Sequence, residues 1–124
     1  MKRLFTSVFA LIVLSSFVNT SVNDVVNALK AGNASQISKY FDNTIDITLQ
    51  DKTNSYSKSQ AELVLKDFFI SNPVIDFGVI HSGDNAGSQY LIGTLKTKKG
   101  TYRTTVYMKQ KADRQVLQEL RFEK

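Results

Sequence analysis

At 124 residues, with 42% hydrophobic and 22% charged positions, the chain has the size of one domain and an ordinary globular composition, which excludes two separate cores, disorder and low-complexity repeats. It has no cysteine and one histidine, so disulfides, thiolate zinc, multi-histidine metal sites and cysteine-linked lipid are excluded, and no metal or cofactor is expected. The formal charge of +5 is uneven: nine basic and three acidic residues follow from Lys96 onward, against five basic and eight acidic between Asp24 and Asp84. The folded surface is therefore expected to be electrically lopsided.

Lys2 and Arg3 precede a stretch from Leu4 to Val18 that is apolar apart from Thr6, Ser7, Ser15 and Ser16, the pattern of a secretory leader. It is shorter than the roughly 20 residues that a spanning helix needs, and polar Asn19, Thr20, Ser21 and Asn23 follow it. The reading is a signal peptide over residues 1–20, cut between Ser16 and Val22, and a single domain over 21–124. Loss of Lys2 and Arg3 leaves a mature charge of +3. An uncleaved anchor is the alternative. Export to the periplasm or beyond is expected, with membrane contact only through the leader.

Val22, Val25, Val26 and Leu29 recur at helical spacing, with Ser21 as cap and Gly32 as stop. Asn33 caps a second, shorter helix carrying Ala34, Ile37, Tyr40 and Phe41. Ile45, Ile47 and Leu49 alternate with polar residues and predict a strand, followed by a polar turn from Asp51 to Ser55. Ser57 and Gln60 have capping-box spacing and open a longer helix with the buried stripe Ala61, Val64, Leu65 and Phe68, stopped at Asn72-Pro73. The period then changes to two. Ile75, Phe77, Val79 and His81 alternate, as do Leu91 to Leu95, Tyr102 to Met108, and Val116, Gln118, Leu120 and Phe122. Turns are expected at Ser82–Gly87, Lys98–Gly100 and Ala112–Arg114, and Gly78 and Gly93 mark bends within strands. The fold class is α+β: N-terminal helices packed on a curved, mainly antiparallel sheet.

That order of elements resembles the nuclear-transport-factor-2-like superfamily, whose curved sheet wraps helices into an open cone. Ala31-Gly32-Asn33-Ala34, Tyr40-Phe41, Tyr56-Ser57-Lys58, Lys66-Asp67-Phe68-Phe69, His81-Ser82-Gly83, Ile92-Gly93-Thr94-Leu95 and Gly100-Thr101-Tyr102-Arg103 look like a family of exported bacterial envelope domains of unknown function. The resemblance spans the mature chain and implies fold and export. It carries no catalytic residue with it.

His81, as the only histidine, is a candidate general base, with Asp42 or Asp46 as its orienting acid. Cone-shaped relatives that move protons pair an aspartate with tyrosine and a second acid, and Asp46, Tyr40, Tyr56 and Tyr102 supply those residue types. Tyr56, His81 and Tyr102 are the ligand-binding candidates. A histidine bonded to the loop backbone, and tyrosines that border the core, are the bland alternatives. If Tyr102 faces the helices, then Tyr90, Ile92, Thr94, Lys96, Arg103, Thr105, Tyr107, Leu117, Glu119 and Arg121 face outward. Tyrosine, aliphatic and arginine side chains together make a contact surface, with Tyr90, Ile92, Arg103, Tyr107 and Arg121 as the partner-binding candidates. Relatives that pair through this side of their sheet imply a homodimer.

Lys96, Lys98, Lys99, Lys109, Lys111 and Arg114 suit an anionic envelope component better than nucleic acid, for which no base-stacking motif is present. The preferred reading is a noncatalytic binding or scaffold module acting through the outer sheet face, or through a small apolar ligand in the cone. The alternative is an isomerase- or dehydratase-type enzyme using a cone-lining acid or histidine.

Overall fold

The computed structural model describes residues 20–124; the expected leader, but for Thr20, lies outside the described residues. Helix α1 spans Thr20–Ala31 and α2 Ala34–Ser38, followed by strands β1 (Phe41–Leu49) and β2 (Lys52–Ser57), helix α3 (Lys58–Ser71), and strands β3 (Val74–Asn85), β4 (Ser88–Thr97), β5 (Gly100–Lys111) and β6 (Arg114–Glu123). The six strands form one sheet in the order β2-β1-β6-β5-β4-β3. Every neighbouring pair is antiparallel except β1 with β6. The helices cover one face, α1 over β3 and β4, and α3 over β1 and β2.

Helix α1 begins at Thr20, so Ser21, expected as its cap, lies within the helix, whereas the stop of α1 and the caps of α2 and α3 follow the expected chemistry. Gly32 takes a positive φ of 63° at the end of α1, where an L side chain would be strained. The Asn33 side chain accepts from the Gln36 backbone N–H, and Ser57 and Gln60 close a reciprocal capping box on α3. Inward-facing Val25, Leu29, Ile37, Leu65 and Phe68 meet Ile45, Ile47, Leu91, Leu95, Val106, Leu120 and Phe122 from the sheet in a single core.

Several expectations need correction. The polar stretch Asp51–Ser55 belongs mostly to β2, after a turn in which Gln50 takes a φ of 61°. Its residues Lys52 to Ser55 are exposed, so an edge strand wetted on both faces shows no alternation. Helix α2 stops at Ser38, and Phe41 is the buried first residue of β1. The loop expected at Ser82–Gly87 shrinks to Ala86-Gly87, flanked by the Asn85 and Ser88 pair, with φ of 44° and 88° at the two turn residues.

Register shifts on β3, between Val74 and Asp76 and between Val79 and His81, break the alternation read from Ile75 to His81. Only Phe77 is buried; Ile75, Val79 and His81 are exposed on this edge strand. A shift between Tyr107 and Met108 likewise turns Leu117 into the core, where it is fully buried, instead of outward.

Gly93 is crowded by its neighbours, whereas Gly78 faces open space. A Cβ on Gly93 would lie 2.5 Å from the Phe77 ring and 2.6 Å from the Gly78 carbonyl oxygen. Because backbone cannot yield as a flexible side chain can, Gly93→Ala is expected to destabilise the domain by about 2 kcal/mol or more. Urea denaturation reads this loss, and Gly78→Ala is the near-neutral control.

Candidate functional site

The interior of the cone is closed by aromatic rings. Phe41, Phe68, Phe69, Phe77 and Phe122 are all buried. Phe68 stacks on Phe122 at 4.6 Å and meets the Tyr102 ring edge-on at 5.2 Å. Tyr102 faces the helices, and its hydroxyl donates to Asn72 Oδ1 at 2.8 Å. Asn72 in turn donates through Nδ2 to the Phe68 carbonyl oxygen at 3.0 Å. These bonds tie the end of α3 to β5, and they satisfy polar groups that burial would otherwise make costly.

The three catalytic candidates are not brought together. His81 is exposed on edge strand β3, with Nε2 3.2 Å from the Tyr90 hydroxyl. The Tyr90 ring covers Gly83, where a Cβ would come within 2.7 Å of it. Asp46 lies four strands away on β1, alternating with buried Ile45 and Ile47 and accepting from the Ser55 hydroxyl. Tyr40 donates to Asp24 Oδ2 at 2.5 Å. That hydrogen bond, then burial and the Asp24 charge, push the Tyr40 hydroxyl up to about 12, so it is a poor proton donor. Tyr56 is half-buried against the core on β2.

The sheet's outer face aligns the partner-binding candidates in cross-strand rows. One runs Thr53, Thr48, Arg121, Thr105, Ile92, His81; the next runs Ser55, Asp46, Glu119, Tyr107, Tyr90, Gly83. Arg103 follows beside Glu123 and Thr94. Tyr107 and Ser88 share a hydroxyl hydrogen bond at 3.0 Å. Arg121 reaches Glu123 at 3.4 Å through Nη2, while its Nε is buried without a hydrogen-bond partner. Ile92, Thr94, Thr105, Tyr107 and Arg121 are each half-buried.

Asp42, considered as an orienting acid for His81, serves instead at the junction of β1 with the β5 and β6 hairpin. It accepts from Lys111 Nζ at 2.8 Å and from Gln118 Nε2 at 3.0 Å. These hydrogen bonds outweigh burial and hold its carboxyl at about 2, below the ordinary 3.8. A carboxyl depressed in the folded state adds stability that is fully present above 3.8 and fades as pH falls through about 2. Asp42→Asn is therefore expected to cost about 1 kcal/mol at neutral pH, since Lys111 is half exposed and screened. It should also flatten the acid limb of a urea stability profile; an unchanged limb would contradict the assignment.

Sequence reasoning missed the Asn72–Tyr102 bond and the Asp42–Lys111–Gln118 cluster, because their members are 30 to 76 positions apart. It also missed Lys124, whose ammonium lies 5.3 Å from the centroid of the Tyr102 ring.

Comparisons agree with this architecture. The family described as Domain of unknown function (DUF4783) matches residues 22–123. The chain is similar to a DUF4783 family protein from Bacteroides fragilis, at 31% identity and a TM-score of 0.78 over 82% of this chain and 95% of that one. A second, from Bacteroides uniformis, is 29% identical with a TM-score of 0.80 over 82% and 94% of the two chains. An NTF2-like protein of unknown function from Cytophaga hutchinsonii shares the fold, with a TM-score of 0.60 at 10% identity over 82% of this chain and 84% of that one. No curated protein matches the chain.

Proposed function

The chain belongs to the DUF4783 family of domains of unknown function, and on that premise we propose a noncatalytic binding or scaffold module of the cell envelope, exported with its leader removed, that pairs with a second copy through the outer face of its sheet. The observation that carries this reading is the band of Tyr90, Ile92, Tyr107 and Arg121, set among carboxylates on the same face. Asp46, Glu119 and Glu123 lie toward β1 and β6, and Arg103 lies on β5. A two-fold axis brings one patch against itself, so arginines of one copy can meet carboxylates of the other. Tyrosine, aliphatic and arginine side chains are the residue types that anchor such contacts.

The isomerase- or dehydratase-type alternative draws little from these positions. It needs an acid or histidine lining the cone, and the cone is lined by rings while His81 and Asp46 stand on the outer face or its edge. Exposed Lys98 and Lys99 at one end of the sheet, with Lys109 and Arg114 at the other, favour an anionic envelope component as an additional partner.

Sedimentation over a concentration series tests pairing. A concentration-dependent dimer is expected, with Tyr107→Ala raising its Kd roughly tenfold and Ile92→Asp giving monomer. A strict monomer at the highest attainable concentration would end the pairing reading. The intact mass of protein recovered from the cell envelope tests export: the expected species has lost its first residues at a cut between Ser16 and Val22, and a full-length species there contradicts leader removal.

A further inference from the structure

A cavity of about 440 Å³ opens at the end of the cone, where the last turns of α3 overhang the sheet. Its size lies within the usual range for small-ligand sites. Leu49, Val64, Phe68 and Tyr102 supply apolar floor and walls, and Asp67 and Asn72 stand on the rim. The polar atoms of Tyr102 and Asn72 are committed to each other and to the Phe68 carbonyl oxygen.

Asp67 differs from them. It is the only charged residue lining the cavity, it is exposed, and it takes part in neither of the two ion pairs among the described residues. The adjoining depression is lined by Gln50, Asp51, Glu123 and Lys124; Glu123 is paired with Arg121, which leaves Asp51 as the further carboxylate near the mouth of a chain that is basic as a whole. The aromatic wall already attracts an ammonium, since Lys124 holds its Nζ over the Tyr102 ring. A cation over such a ring is drawn by the negative face of its quadrupole.

We propose that this cavity binds a small organic ammonium ion bearing an apolar ring or chain. The body lies against Phe68, Val64 and Leu49, and the charge lies between the Asp67 carboxylate and the Tyr102 ring. Lys124, on a flexible and exposed side chain, is the intramolecular competitor that the ligand displaces. The site is on the helix-covered side of the sheet and does not depend on pairing through the outer face.

The test is an NMR titration of the protein with three probes of similar shape: phenethylammonium, 2-phenylethanol and 3-phenylpropionate. The ammonium is expected to bind about tenfold more tightly than the alcohol, with the carboxylate weakest and the shifts centred on Phe68, Asn72 and Tyr102. Asp67→Asn, an exposed helix position that should leave folding intact, is expected to bring the ammonium down to the level of the alcohol. Lys124→Ala is expected to tighten ammonium binding about threefold by removing the competitor. Equal affinity for ammonium and alcohol, preference for the carboxylate, shifts confined to another surface, or no saturable ammonium binding at millimolar concentration would each overturn the proposal.

Discussion

The contact on which this fold depends is the stack of Phe68 against Phe122, with Tyr102 and Phe69 set edgewise around it. It joins a helix encoded mid-chain to the last strand and to β5. Truncating one buried ring of this kind costs about 3–5 kcal/mol, a large share of the 5–15 kcal/mol that holds a domain folded. The position of α3 over the sheet, the closure of the interior and the shape of the opening beside Asn72 all follow from where those rings sit.

Closing the interior with rings moves the chemistry to the periphery. Polar groups that might have converged inside are distributed instead: Asp46 beside Ser55, Tyr40 on Asp24, His81 on Tyr90. Each is met by a neighbour that holds it in place. The proposed pairing face is a half-buried sheet surface and the proposed ligand site a cavity rimmed by a carboxylate, and these lie on opposite sides of a sheet a single layer thick. Events on one side therefore have a short mechanical path to the other, through Tyr102 and Arg103, adjacent residues of β5 that face opposite ways.

Much of the fold was legible because its signals are local. The Ser57 capping box, the stop at Asn72-Pro73 and the alternation through β4 and β5 are written within a few residues of where they act. β2 was not legible, because a polar edge strand takes its order from β1 and shows no period of its own. The bulges beside Ile80 and Gln118 were also hidden. One extra residue reverses which face the side chains on its two sides take, so Leu117 turns inward and His81 turns outward beside Ile92. The outer rows of Tyr90, Ile92, Arg103, Tyr107 and Arg121 could be anticipated from alternation. The lone histidine was a misleading cue for a site: its rarity drew attention, yet its place on an exposed edge came from a register shift. The mouth cavity needed tertiary contacts between α3, β1 and β5, which no local pattern carries.

The single parallel seam, β1 against β6, sets the order in which the molecule can assemble. The hairpins of β3 to β6 are neighbours in sequence and can zip as soon as they exist, but β1 must wait for a strand made some seventy residues later, as the Asp42–Gln118 separation of 76 records. Long-range pairing of this sort slows folding. Until β6 arrives, β1 and β2 form a detached hairpin, and Phe68 lacks the Phe122 ring on which it stacks. A nascent chain therefore cannot shut the cone until β6 has been made.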